Sequence, residues 1–580
     1  MDIKTKLGII LCMFASLQTF CMAQNPYVLF RIPRKTLDIA KQAPEVVTQT
    51  TSEPTSEVVR VGIGTVGFKT YLYNNVGIYG TSEIVLCDNN TAIKTFPANT
   101  NINVKLNSAK TFDITLDDGT KITTLNGPVR FTCPTGLLGV KGLKRAGNNA
   151  LYHGAFEIKK VGGYFNLINI IEVEDYLKGV VPNEMPVTFG LNALKAQSVA
   201  ARNYVLSPRT KASNNYDVVD SVASQVYYGA NTEKSLSNQA VKETEGICAI
   251  YDWNLILAQY SSTAGGYTES YSQSFSDPIT KAFPSKDKPY LIAKPDIIGQ
   301  EPLNTDEAAL NYYKSTPDSY DVRSPYYRWQ REWTPQELHD VLQQNLPAQS
   351  ATGFVKPAFN KGDTLGNIIN IKVNKRGNSG KIVEMEIVTD AGSYRVQKEL
   401  VVRRLMTKSG KALPSANMAF ELTRDVDNNL SDIKVYGGGF GHGVGMSQFG
   451  AGFMGKELNI PYNKILQHYY TGISLGTKPL VLSQSNKLVT QHFYNSNNYA
   501  KIKIDNRYDI SSLTVKLNGN EQKIELPTGF GGEKRFTEID VSNIIKQGRN
   551  EITFVYPSGE QGALKIYIEL VKRDDNDGIW

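Results

Sequence analysis

Two short stretches hold the side chains best suited to chemistry. In "VPNEMPV", residues 181–187, Glu184 stands between Pro182 and Pro186 with apolar Met185 and Val187 beside it. Desolvation in such a turn raises a carboxyl pKa towards the range where it can pass a proton at neutral pH, and a neighbouring cation lowers it. The residue types leave that sign open. The run "GLNALKAQSVAARNYVL", 190–206, follows directly and supplies two cations. At about 100° per residue, Lys195 and Arg202 fall together at the edge of a stripe made by Leu191, Leu194, Ser198, Ala201 and Val205. Lys and Arg are seldom buried unless paired, so something anionic or polar is expected against them. A salt bridge to a core carboxylate satisfies that demand, and so does a groove shared with Glu184.

The second stretch, "GGGFGHGVGMSQFGA" (437–451), places His442 among seven glycines in a chain with five histidines. A phosphate-cradling reading fails, because no Gly-Lys-Ser/Thr ending follows and no strand-helix-strand unit surrounds it. A metal reading fails too: His442 has no second His, Cys or carboxylate at ligand spacing, and histidines 153, 339, 468 and 492 are scattered. Nor does a Gly-x-Ser-x-Gly nucleophile pattern occur around Ser447. What remains is a loop that presents an imidazole and backbone N–H groups to a polar, uncharged ligand such as a sugar.

These stretches need elements to hold them. Residues 58–171 read as short strands, with the Asp-Asp-Gly of "FDITLDDGTKITTL" as a hairpin turn. At Glu172 the period changes: Val173, Tyr176, Leu177 and Val180 mark one face of a helix expected to stop at Pro182. Glu184 is then expected in the turn before a second helix over 190–206. Further helices are expected in "TPQELHDVLQQNL" and "YNKILQHYY", and another strand section in 367–396. The resulting class is α+β: a β-rich main body, 58–476, with a few helices carrying the groove, followed by a separate all-β sandwich over 485–572.

Residues 1–23 read as an export signal, with Lys4 and Lys6 before the apolar run Leu7–Phe20 and cleavage expected after Ala23. That run is shorter than the about 20 residues a membrane span needs, so no stable span is expected after cleavage. Residues 24–57 form an N-terminal segment and polar linker. Removal of the signal leaves Cys87, Cys133 and Cys248, too few for a disulfide scaffold. The charge balance, 63 basic against 56 acidic residues without a dense basic run, excludes nucleic acid as a partner.

Taken in order, "VEDYLKGVVPNEMP", "LKAQSVAARNYVL", "SSTAGGYTES", "SPYYRWQREWT" and "GFGHGVGMSQFGA" resemble the SpoIID/LytB family, the group of stage II sporulation protein D and the amidase enhancers. The resemblance covers about residues 57–476. It implies an exported lytic transglycosylase that cleaves MurNAc-GlcNAc strands of peptidoglycan, with Glu184 as catalytic acid/base. Lys195, Gln197 and Arg202 would order Glu184 and the glycan, and Tyr260, Thr268, Gly441, His442, Gly443, Gly445, Ser447 and Gln448 would line the groove. No cofactor is implied. Some members carry Cys and His zinc ligands in an insertion that here, over 270–330, contains neither, so no metal is expected. The chain also departs at Ala264, where the family usually has serine. The alternative reading is a non-catalytic enhancer or glycan-binding scaffold whose partner is a cell-wall amidase. The 485–572 segment is similar to galactose-binding-like sandwiches, and a packing or partner module fits it equally.

Overall fold

The computed structural model describes residues 57–208, 212–297 and 299–573. The expected export signal and most of the linker lie outside the described residues. Val58–Gly62 opens the fold, antiparallel to Tyr164–Glu172 with Val61 opposite Asn169, and parallel to Val218–Val219. These strands belong to a seven-stranded sheet, and residues 75–152 supply a six-stranded one. Alternation explains their packing, for Val61, Ile78, Leu86, Ile102, Phe112, Phe131, Phe156 and Leu167 all point into one core.

The helix expected after Glu172 is α1, Val173–Glu184, and it buries Val173, Tyr176, Leu177 and Val180 as the spacing requires. It does not stop at Pro182. A proline removes one helical N–H, but in a last turn the loss is confined to a single bond, and Met185 N–H still closes onto the Val181 carbonyl at 3.0 Å. Glu184 is therefore the final helical residue and not part of a free turn. Gly190 then turns the chain into α2, Leu191–Leu206. The central α2 packs on α1, α3 (Ser235–Lys242) and two later helices.

After α4 (Asp306–Lys314), α5 (Pro335–Ser350) begins with a capping box in which Thr334 and Glu337 bond each other's backbone N–H. It joins α6 (Glu399–Leu405) and two sheets in a second core that includes Trp333, Leu342, Met385 and Val435. Next come α7, Gln448–Lys456, and α8, Tyr462–Tyr469. The glycine-rich α7 has little intrinsic propensity. It forms because Ser447 caps it and because bare Gly452 admits the ring of Phe189, where a Cβ would sit 2.6 Å from that ring.

The segment expected as a separate sandwich has its strands, but its sheet continues into the body. Ala563–Val571 pairs with Lys501–Asp505 on one edge and with Ser474–Thr477 on the other, and the latter pairs onward with Ile247–Tyr251. The sequence "ALKIYIELV" is apolar enough to be central, and its residues Leu564, Ile566, Ile568 and Leu570 share a core with Val59 and Leu177. A hairpin tip adds a further clasp. Trp253, at φ 62°, stacks on Phe536 with centroids 5.2 Å apart and meets Tyr567 edge-on. Among the described residues no helix is long and apolar enough to cross a membrane.

Candidate active site

Glu184 sits where α1 ends, a position at which the helix dipole disfavours negative charge. Its Oε1 accepts the Val226 N–H at 2.7 Å, and the Gln448 side chain hydrogen-bonds the carboxyl. Burial raises the pKa of this group, and the two hydrogen bonds oppose that rise without cancelling it. The sign left open by the residue types is thus upward. Gln448, the first residue of α7, in turn donates Nε2 to Oε1 of Gln197 on α2 at 3.3 Å. Tyr260 completes the group: burial raises its pKa, and the nearby Glu184 charge raises it further.

Gln225 is a member that the residue pattern did not reveal. It is fully buried, donates to the Tyr260 hydroxyl at 3.0 Å and accepts from the Tyr176 hydroxyl at 3.1 Å. It fixes the tyrosine that faces Glu184. A lone glutamine in "SQVYYG", outside any periodic element, carries no spacing signal that could have marked it.

The two cations do not join this group. Arg202, buried, makes a two-point bridge to Glu174 at 2.7 and 2.6 Å and donates to the Ile247 carbonyl. Lys195 pairs with Glu243 at 2.6 Å. Neither is among the groups that shift Glu184, so the salt-bridge account describes both. Thr268 is buried and exchanges hydrogen bonds with the Lys294 backbone through its hydroxyl. Ser447, also buried, caps α7 and donates to Asp321. Both hold backbone in place and do not line a groove.

The glycine loop differs from expectation in the same direction. Tyr260–Ser261 forms a parallel bridge with Met446–Ser447, which brings the loop to the acid. Three of its glycine N–H groups are engaged inside the protein: Gly439 with the Tyr326 carbonyl, Gly441 with that of Pro414, and Gly443 with Ser261 Oγ. They are not a free cradle for a ligand. Gly445 is required by close approach, since at φ 71° a Cβ would stand 2.1 Å from the Gln259 carbonyl oxygen.

His442 is internal bracing as well. Its Nδ1 accepts the Val444 N–H at 3.1 Å, and the ring also bonds the Tyr260 backbone. Beneath it, fully buried Lys381 donates to the His442 carbonyl at 2.7 Å. Burial, followed by the Lys381 and Arg403 charges, pushes the imidazole pKa down to about 3. The ring is neutral at physiological pH and supplies no proton. His442→Ala is accordingly expected to destabilise the fold by about 1–3 kcal/mol, because the Val444 N–H loses its acceptor in a buried setting. Thermal unfolding measures this, and an unchanged melting temperature would contradict the bracing role.

Behind Ser447 lies a buried carboxyl pair. Asp321 accepts from Gly265 N–H at 2.7 Å, and Ser319 Oγ lies 2.8 Å from Asp321 and 3.0 Å from Asp296, with its one hydroxyl proton between the two carboxyls. Burial, and then the Asp296 charge, push the Asp321 pKa up to about 7. A folded pKa above the unfolded one favours the folded state below the unfolded pKa, and that contribution is lost as pH rises towards about 7. Asp321→Asn does not titrate. Its melting temperature relative to wild type should therefore climb between pH 5 and pH 8, and a pH-independent difference would refute the buried ionisation.

Residues 161–251, which contain Glu184 and the helices around it, match the SpoIID family, described as stage II sporulation protein. Residues 277–445, which contain Lys381 and the second core, match a domain of unknown function (DUF8618). The chain is similar to the amidase enhancer of Bacillus subtilis (strain 168), 32% identical over 305 residues that cover 52% of this chain and 40% of that protein. It is also similar to stage II sporulation protein D of the same strain, 29% identical over 330 residues that cover 54% of this chain and 77% of that one. Less than half of the amidase enhancer's length is spanned. The Glu-Met-Pro helix end, which lies inside the stretch that matches the SpoIID family, and the Gly-His-Gly loop meet through Glu184 and Gln448, and the chain that carries both is similar to the amidase enhancer and stage II sporulation protein D.

Proposed function

We propose that this protein cleaves the MurNAc-GlcNAc bond of peptidoglycan outside the cytoplasm, as a lytic transglycosylase that uses Glu184 alone as acid and base. The observation that carries the reading is a single desolvated carboxyl with a raised pKa, whose shifting groups include no second carboxylate. Hydrolases that use water employ two carboxylates. An anhydro-forming cleavage needs one. Glu184 protonates the leaving glycosidic oxygen as its bond to C1 breaks, the C6 hydroxyl oxygen bonds to C1, and Glu184 takes the hydroxyl proton. No water is consumed, and the product carries a 1,6-anhydroMurNAc end. Val226 and Gln448 orient the carboxyl, and Gln225 orients Tyr260 beside it. Lys195, Arg202, Thr268, His442 and Ser447 act through the scaffold. The test is release of anhydro-ended fragments from peptide-free glycan strands by the purified protein, followed by mass spectrometry.

Similarity to a protein named amidase enhancer supports a second reading, in which the Glu184 site binds glycan without cleaving it and the protein stimulates a cell-wall amidase. In that case the protein alone releases nothing, and an added amidase is accelerated.

A further inference from the structure

Two aromatic side chains beside the glycine loop have no role in the chemistry above. Tyr326 and Phe440 are 37% and 39% exposed, and their rings pair with centroids 4.4 Å apart and planes 32° apart. Exposed aromatic pairs are informative because burial would ordinarily stabilise each ring. Here the backbone prevents inward collapse. Gly439 N–H bonds the Tyr326 carbonyl at 2.8 Å, Phe440 and Thr263 exchange bonds at 2.9 and 3.2 Å, and Tyr326 N–H bonds Ser324 Oγ at 3.1 Å. The platform is thus fixed in place.

Its position follows from the chain that joins it to Tyr260. Thr263, opposite Phe440, lies three residues beyond Tyr260, which faces Glu184. Three residues span at most about 10 Å of chain, so the Thr263–Phe440 bridge lies within that reach of Tyr260. Phe449 N–H, next to Gln448, bonds the Ser262 carbonyl at 3.0 Å and ties the start of α7 to the segment between Tyr260 and Thr263. We infer that the Tyr326–Phe440 pair is a carbohydrate-stacking subsite that takes a pyranose ring of the glycan at a sugar neighbouring the one cleaved at Glu184. This rests on the glycan reading of the Glu184 site. The C–H face of a pyranose is weakly positive and apolar, which complements the negative face of an aromatic ring. Two rings are also far smaller than the about 800 Å² that each partner of a stable protein interface buries.

Binding is measured apart from cleavage, on the full chain carrying Glu184→Gln, with peptide-free glycan strands as the probe. Added Phe440→Ala should weaken strand affinity at least about tenfold, and Phe440→Tyr should restore it. Tyr326→Ala, which removes the other ring of the pair, should weaken it in the same direction and serves if Phe440→Ala fails to fold. Affinity unchanged in a folded alanine variant overturns the subsite. No strand binding by the Glu184→Gln parent or by the wild type overturns both the subsite and the glycan reading. Binding that depends on Phe440, in a protein whose wild type cleaves nothing, supports the subsite and removes only the transglycosylase.

Discussion

Glu184→Gln is expected to abolish anhydro-ended products while leaving the melting temperature and glycan binding near wild type. Glutamine keeps an oxygen for the Val226 N–H, so the end of α1 stays closed, but it has no proton to give or take. General acid/base assistance is typically worth about 10²–10⁴ in rate, and here one group serves both halves of the reaction. The loss should therefore lie at or beyond the upper end of that range. Wild-type cleavage should also fall on the alkaline side as the carboxyl loses its proton, at a pH above the ordinary carboxylate range, because burial raises its pKa. Products are counted by mass spectrometry, with thermal unfolding and strand pull-down run in parallel. Wild-type rates from a stably folded Glu184→Gln protein would sink the one-carboxyl mechanism. An inert wild type that accelerates an amidase would favour the enhancer.

A chain cut after Ser483 is expected to lose its fold, not merely an appendage. The cut removes Ala563–Val571 from the sheet, leaves Ser474–Thr477 with an open edge, and strips Trp253 of Phe536 and Tyr567. Exposing one large side chain costs about 1.5–3 kcal/mol. Leu475, Leu482 and Trp253 together therefore approach the about 5–15 kcal/mol that a domain has in total. The exposed apolar edge also invites aggregation. Soluble yield and calorimetry decide the matter. A monomeric truncated protein that melts cooperatively within a few degrees of the full chain would show that the shared sheet contributes little.

Periodicity was a sound guide wherever a side chain's fate depended on near neighbours. It marked the strands of 58–171, the buried face of α1 and the helix α5. It failed where distant residues decided. The helical wheel set Lys195 and Arg202 side by side, but their partners Glu243 and Glu174 lie in other elements, and no pattern announces them. The loop of 437–451 was legible as unusual backbone. That three of its glycine N–H groups are bound to Tyr326, Pro414 and Ser261 could not be read, because each partner comes from a remote segment. Family resemblance named Glu184 as the acid/base and Gln448 only as one of several groove residues, and the hydrogen bond that joins the two is a fact of packing. The helix α7 was hidden by its glycines, whose low propensity is overridden by contact with Phe189.

The strand that closes the long sheet has a consequence for timing. A chain made from its N-terminus at about 5–20 residues per second completes Ser474–Thr477 roughly 5–20 s before Val571 exists. During that interval every residue around Glu184 has been synthesised, yet the sheet beneath α2 lacks its neighbour. Completion of the sheet on which α2 packs thereby waits for the last strand, so the setting of Glu184 is a property of the chain through Val571 and not of the chain through Thr477.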